Sequence, residues 1–270
     1  MTSCTKQSKQ RWGRIIDVAV AYLMLLVVPA VLTAQAPPSV LLEERVPIVV
    51  LDAGRGGSNA GAQGPTGLLE KDLTLQVASA TGKLVEELLG IRVVLTRTDD
   101  SEVSREARAA LANEAAGDLF ISIHAGGSLA PTRREFQTFY FDAGPQGLPS
   151  VREPSDDADA PDPTAPGQRG AGGRPLVVQW DQAQLDYLDA SQMLARILQR
   201  NLRTQVAEDG RGVFGLPILL LRWVRMPAVL LDLGSLGDAG FDAKLHDEVY
   251  LQRVALGITQ AINDYLALQR

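Results

Sequence analysis

Three acidic or imidazole side chains stand at the ends of predicted secondary-structure elements, where they could meet. His124 ends a predicted strand, Asp232 ends another, and Glu70 lies at the start of a predicted helix, while a glycine-rich segment, 52–57, follows the first strand. Ligands of a parallel α/β sheet gather at the carboxyl ends of its strands. A histidine at a strand end and a glutamate at a helix start are a plausible pair of ligands for a divalent metal, although the pair alone is weak evidence.

Alternating strands and helices must position these side chains. The run 46–51 (VPIVVL) has no alternation of polar and apolar residues, as expected of a central strand covered on both faces. The pattern predicts one three-layer α/β/α domain with a mixed, mainly parallel sheet. The predicted strands are 46–51, 92–96, 118–123, 136–141, 218–221 and 228–233, and the predicted helices are 72–89, 104–115 (capped by Ser104), 182–207 and 251–266.

Composition and charge exclude some classes of function. The 270 residues carry a formal net charge of -6, which argues against a nucleic-acid partner because binding a polyanion normally requires a basic face. Cys4 is the single cysteine and lies in the basic leader. The rest of the chain therefore has no disulfide and no thiolate metal ligand, and any metal must be bound by His, Asp or Glu.

Residues 1–36 have the pattern of a signal peptide or an N-terminal anchor. A basic start precedes the apolar stretch 18–32, and Ala34-Gln35-Ala36 supplies a small-x-small cleavage site. The apolar stretch is short for a membrane span of about 20 residues. We therefore expect export, with membrane attachment only if the segment is not cleaved, followed by a linker at 37–46 and a domain at 47–270.

An insertion interrupts the predicted domain. Residues 143–175 are rich in Gly, Pro, Ala and Asp and contain almost no large apolar side chains. Such a composition cannot bury enough apolar surface to compensate for the entropy lost on ordering. The sequence therefore predicts a disordered surface insertion.

Six short motifs in fixed order resemble those of the zinc-dependent N-acetylmuramoyl-L-alanine amidases (amidase type 3), which hydrolyse the cell wall. The resemblance covers about 48–268 apart from the insertion. It indicates that this chain is a divergent member of the family, with altered residues at the site. The motifs are LDAGRGG at 51–57, GPTGLLEKD at 64–72, LTR at 95–97, Arg108 with Ala112-Asn113, SIHAG at 122–126 and MPAVLLDLGSL at 226–236.

The resemblance implies a reaction and a set of site residues. In that family two histidines and a glutamate bind zinc, a second glutamate is the general base, and the amide between N-acetylmuramic acid and L-alanine is hydrolysed. Glu70 and His124 match two ligands, whereas Arg55 stands at the first histidine and Asp232 at the catalytic glutamate. Gly126 replaces the asparagine that follows the second histidine. Peptidoglycan is the implied partner, and the periplasm or the extracellular cell wall is the implied location.

Arg55 is the substitution with the largest physical consequence. A catalytic zinc keeps three protein ligands and an open position for water, and a guanidinium donates hydrogen bonds without accepting them. A unit positive charge about 4 Å from a divalent cation costs roughly 8 kcal/mol at an effective dielectric constant near 20. Either Arg55 points to solvent, or it takes the metal's place and pairs with Glu70, with Asp232 as a further candidate partner.

Three hypotheses about function follow. The first is a pseudo-enzyme that keeps the groove and binds peptidoglycan or a cell-wall or division protein. The second is an active metal-dependent amidase whose third zinc ligand comes from elsewhere, such as Asp52 or His246. The third is an interaction protein that uses the acidic insertion. Asp232 keeps the carboxylate of the general base but withdraws it by one methylene, a misplacement of about 1 Å that can reduce the rate about 100-fold.

We expect the mature N-terminus at or close to Pro37, because cleavage after Ala36 fits the small-x-small site. N-terminal sequencing of the exported protein measures this directly. Recovery of the intact chain from Met1 in the membrane fraction would instead identify an anchor.

Deleting about 144–173 should leave the stability of the domain nearly unchanged. The segment offers little apolar area to bury, and each doubling of the length of a flexible loop changes the closure cost by only about 0.6 kcal/mol. Thermal unfolding of the full chain and the deletion variant compares the two. A large drop in melting temperature would show that the segment packs against the domain.

Overall fold

Short apolar runs separated by amphipathic helices produce the α/β order expected from the sequence. The computed structural model describes residues 45–126, 135–144 and 183–269. The strands are β1 (Ile48–Ala53), β2 (Arg92–Leu95), β3 (Leu119–His124), β4 (Gln137–Phe141), β5 (Gly212–Leu216) and β6 (Ala228–Asp232). The helices are α1 (Glu70–Leu89), α2 (Arg105–Glu114), α3 (Leu188–Val206, preceded by a 3-10 turn at Leu185–Tyr187), α4 (Leu219–Arg222), α5 (Ala239–Leu245) and α6 (Glu248–Ala267).

The strands form one sheet in the order β2-β1-β3-β6-β4-β5. Neighbouring strands are parallel except β4 and β6, which are antiparallel. The predicted mixed, mainly parallel sheet is therefore confirmed. Because β1, β3 and β6 are adjacent and parallel, their carboxyl ends meet at one edge of the sheet.

Apolar side chains cover both faces of the sheet. Val49 and Leu51 of β1 belong to a core that also includes residues of α1, α3 and α6, whereas Val50 belongs to a second core with residues of α2 and α4. A strand whose successive side chains enter two different cores has no polar face. This explains the uninterrupted apolar run and confirms the three-layer architecture.

The predicted strand at 218–221 is wrong. The chain forms β5 earlier, at Gly212–Leu216, and then the one-turn helix α4, which buries Leu220 and Leu221. A run of four apolar residues fits either a strand or a buried helical turn, so periodicity could not decide between them. Strand β5 was not predicted because it contains two glycines, and glycine has a low β propensity.

Capping residues in the sequence account for the ends of two helices, α1 and α2. The hydroxyl of Ser104 accepts a hydrogen bond from the Ala107 amide at 3.2 Å, which confirms the predicted N-cap of α2. Helix α1 begins at Glu70, two residues before the predicted start, and ends at Leu89; its C-cap is Gly90, whose φ of 64° suits a glycine. Asp72 lies in the first turn of α1, as expected.

Several predicted segments lie outside the described residues. They are the leader at 1–36, nearly all of the linker at 37–46, and all but the first two residues of the insertion at 143–175. Their boundaries stay predictions. Within the part of the chain that the structure describes, no helix is long and apolar enough to cross a membrane.

Candidate functional site

The carboxylate of Glu70 lies at the centre of the site. Helix α1 begins at this residue, and its side chain is fully buried. Arg55 Nε and the Ala62 amide donate to Oε2 at 3.1 and 3.0 Å. On the other oxygen, Oε1, the His124 Nδ1 atom lies at 2.9 Å and the Ala125 amide donates at 3.4 Å. Both oxygens of the carboxylate are therefore occupied by donors from three different segments.

Arg55 is held against Glu70 by an unusual backbone conformation and by a buried arginine. Its φ is 65°, in the left-handed region that non-glycine residues rarely adopt. The guanidinium of Arg108 donates to the Arg55 carbonyl at 2.5 Å. The predicted ion pair between Arg55 and Glu70 is confirmed, and the alternative in which Arg55 points to solvent is wrong, since only 15% of its side chain is exposed.

His124 ends β3 and reaches Glu70 across a glycine. A Cβ atom added to Gly54 would lie 2.6 Å from the His124 ring, so this position must remain glycine for the ring to occupy its place. Because the ionised carboxylate can only accept, the Nδ1 atom carries the hydrogen in the pair. That hydrogen occupies one of the two ring nitrogens that could otherwise bind a metal.

Asp232 stands beside His124. The two residues are register partners on the parallel strands β6 and β3. The Asp232 side chain is almost fully buried, and its Oδ1 accepts a hydrogen bond from the Gly234 amide at 3.0 Å. The sheet therefore brings Glu70, His124 and Asp232 to the same edge, with Arg55 against Glu70.

Asp52 and His246, the suggested replacement ligands, are engaged elsewhere. Ser122 donates to one oxygen of Asp52, and Thr96 and Arg108 donate to the other. Burial raises the pKa of Asp52, but the Arg108 charge and these hydrogen bonds outweigh it and lower the pKa. His246 Nε2 lies 2.6 Å from the Thr66 hydroxyl.

Two arginines and an asparagine of the motifs form structural hydrogen bonds to backbone carbonyls. Arg97 donates to the carbonyls of Ala53, Gly54, Asp99 and Lys71, while Arg108 donates to those of Val103, Ala53 and Arg55. The Asn113 amide donates to the Trp223 carbonyl at 2.9 Å. The two buried guanidiniums therefore hold the loop after β1 by its carbonyl oxygens.

Comparison with known families decides the assignment. Residues 49–264 match the family described as N-acetylmuramoyl-L-alanine amidase. The chain belongs to this family. It is therefore an amidase-family protein related to peptidoglycan, and relatives in the family act on the cell wall.

The relatives include bacterial cell-wall amidases. The chain is 29% identical to the uncharacterized protein YqiI of Bacillus subtilis over 218 residues, which cover 80% of this chain and 84% of YqiI. It is 28% identical to the N-acetylmuramoyl-L-alanine amidase AmiC of Neisseria meningitidis, covering 82% of this chain but only 53% of AmiC. The crystal structure of an N-acetylmuramoyl-L-alanine amidase from Clostridium difficile 630 matches with a TM-score of 0.62 and 27% identity, covering 83% of this chain and 99% of that one.

The side chains of this amidase-family site do not fit a catalytic zinc as they are arranged. Amidases of the family are generally zinc-dependent, and such a zinc needs three protein ligands. Among the residues that the structure describes, no three His, Cys, Asp or Glu side chains are grouped so that they could hold a metal ion. Glu70 and His124 are hydrogen-bonded to each other, and Arg55 places a donor and a positive charge against the same carboxylate.

The charge of Glu70 makes the site sensitive to pH. Burial raises the pKa of Glu70, but the hydrogen bond and charge of His124, the charge of Arg55 and the Ala62 amide lower it to about 2. A carboxyl group whose pKa is lowered on folding stabilises the fold above its unfolded value. The stabilisation from Glu70 is therefore present above about pH 4.5 and is lost as the pH falls through about 2.

Replacing Arg55 with methionine should lower the free energy of unfolding at pH 7 by about 3 kcal/mol, because it leaves a buried carboxylate without its cation. The double variant Arg55→Met/Glu70→Gln should recover most of that loss, since both charges are then removed. Arg200→Met is the matched control. Its guanidinium pairs with Asp264 at the surface, where such pairs contribute about 0–1 kcal/mol.

Chemical denaturation at several pH values measures these differences. The deficit of Arg55→Met should shrink as the pH is lowered below about 4.5, because the Glu70 carboxyl group then becomes protonated in the unfolded chain and the unmodified protein loses the stabilisation that the ion pair provides. A deficit that is no larger than that of Arg200→Met, or that is not recovered by the double variant, would contradict the role assigned to the pair.

Proposed function

We propose that this protein is an exported, peptidoglycan-directed member of the amidase family in which hydrolysis of the amide between N-acetylmuramic acid and L-alanine is impaired. It is retained for cell-wall binding or regulation. The observation that carries the proposal is the 3.1 Å contact between Arg55 Nε and Glu70 Oε2.

The ion pair opposes the chemistry of the family in two ways. It uses an oxygen of Glu70 that would otherwise be available to a metal, and it places a positive charge next to the position of a divalent cation. Metal-assisted hydrolysis requires a water molecule whose pKa is lowered to about 7 by the bound ion. A protein that binds zinc weakly or not at all under ordinary conditions would lack that activated water.

Asp232 adds a second impairment. Its carboxylate lies one methylene further from the reacting position than a glutamate would, and Oδ1 already accepts from the Gly234 amide. A general base must lie within hydrogen-bond reach of the proton that it removes. A misplacement of about 1 Å can reduce the rate about 100-fold, so the two substitutions act on different requirements of one reaction.

The proposed cell-wall binding requires the fold of the domain but not the chemistry of hydrolysis. The two apolar cores, one on each face of the sheet, contain no residue of the ion pair. The amidase-type fold is kept around the ion pair. The predicted leader supports delivery to the periplasm or the extracellular cell wall, with cell-wall or division proteins as candidate partners. Membrane attachment follows only if the leader is uncleaved.

Reversal of the two substitutions tests the proposal. Arg55→His should restore stoichiometric zinc binding with little hydrolysis, because it supplies the third ligand but leaves the base displaced. Adding Asp232→Glu should then produce measurable release of stem peptides from purified peptidoglycan. Arg55→Lys is the matched control, since it keeps a positive charge at the same position and should gain neither property.

Zinc content of the purified chains, stem-peptide release and cosedimentation with peptidoglycan are the three measurements. The unmodified protein should cosediment with peptidoglycan while releasing few stem peptides. About one zinc per unmodified chain together with efficient release would instead establish an active amidase with an altered zinc site. Failure to cosediment would favour an interaction protein that acts through the insertion.

A further inference from the structure

A hairpin at residues 61–69, here called the site hairpin, connects the Arg55 loop with α1. Gln63 and Leu69 form an antiparallel bridge within it. At its base the Glu70 amide donates to the Ala62 carbonyl at 2.8 Å, and the Ala62 amide donates to Glu70 Oε2 at 3.0 Å. The position of the hairpin therefore determines one of the hydrogen bonds that the buried carboxylate receives.

The tip of the site hairpin rests on α5 through a buried aspartate. Asp242 is fully buried, and its Oδ2 accepts a hydrogen bond from the Thr66 amide at 2.9 Å. Its other oxygen, Oδ1, lies against Gly64, where an added Cβ atom would be only 2.2 Å away. Only a glycine allows this approach.

Holding the site hairpin with the buried Asp242 carboxylate costs free energy. Among the described residues, Oδ1 is a buried atom without a hydrogen-bond partner, and burying a carboxylate oxygen without one is costly. His246 Nε2 lies 4.0 Å from Oδ1 and closer to the Thr66 hydroxyl. Because Gly64 covers Oδ1, the atom does not face a space that could hold a ligand, so the geometry favours a positioning role over a second metal site.

We propose that Asp242 is a positioning residue that holds the site hairpin against α5, and that it thereby sets the position of Glu70 and of one wall of the peptidoglycan-binding face. The hairpin follows β1, and α5 follows β6, so the contact joins loops from two strands that flank β3 and His124. Leu68 of the hairpin and Phe241 of α5 pack in the same core. The peptidoglycan part of this inference rests on the proposed function.

Asp242→Ala in the full chain tests the contact. Loss of the acceptor should speed hydrogen exchange of the Thr66 and Ala62 amides about tenfold and weaken cosedimentation with peptidoglycan by a similar factor, as expected for one lost hydrogen bond. Asp242→Asn keeps an acceptor for the Thr66 amide and should restore both values to within about twofold. Asp247→Ala is the control, because it removes the N-cap of α6 without touching the hairpin.

A double-variant cycle tests the packing against Gly64. Gly64→Ala alone should speed exchange at Thr66 because its Cβ collides with Oδ1. Added to Asp242→Ala, the same substitution should have little further effect, since the colliding oxygen is gone. Additive effects would overturn the proposed contact.

The outcomes separate this inference from the proposed function. Unchanged exchange at Thr66 in Asp242→Ala, or a change equal to that in Asp247→Ala, overturns the positioning role whether or not the protein binds peptidoglycan. Faster exchange with undiminished cosedimentation overturns the assignment of the hairpin to the binding face. Faster exchange in a protein whose unmodified form does not cosediment supports the positioning of Glu70 and rejects the proposed function.

Discussion

Glu70 carries a negative charge at a position that water does not reach, and the loops around it are arranged to compensate that charge. An isolated buried carboxylate is so unfavourable that it would normally become protonated. Here four donors surround it, and one of them, Arg55, is a permanent cation. The pKa of about 2 follows from this arrangement and not from burial, which acts in the opposite direction.

Arg55 can compensate Glu70 only because a second polar network determines the path of the loop after β1. Asp52 is buried beneath the site and binds Arg108, whose guanidinium also donates to the carbonyls of Ala53 and Arg55. Arg97 holds the Gly54 carbonyl from the same side. A buried carbonyl that lost such a donor would be left unpaired at a cost of about 1–3 kcal/mol. Residues that never touch Glu70 therefore maintain its ion pair.

The fold and the chemistry of the site can be separated physically. The fold resembles that of a solved amidase, and Arg55 and Asp232 lie at the polar edge of the sheet, outside the two apolar cores. An ion pair that neutralises the site internally lets the domain fold without a metal to balance Glu70. The proposed function, in which cell-wall binding is kept while hydrolysis is impaired, rests on this separation.

The sequence by itself determined the family, the layer architecture and the meeting of Glu70, His124 and Asp232, because apolar periodicity and motifs at strand ends are local properties of the chain. It also predicted the pairing of Arg55 with Glu70, since a buried carboxylate requires a cation. Tertiary structure alone decided the helical turn at Leu219–Arg222 and the contact between Thr66 and Asp242. These depend on packing between segments distant in sequence, 176 residues apart in the second case, and no local pattern records which distant atoms will meet.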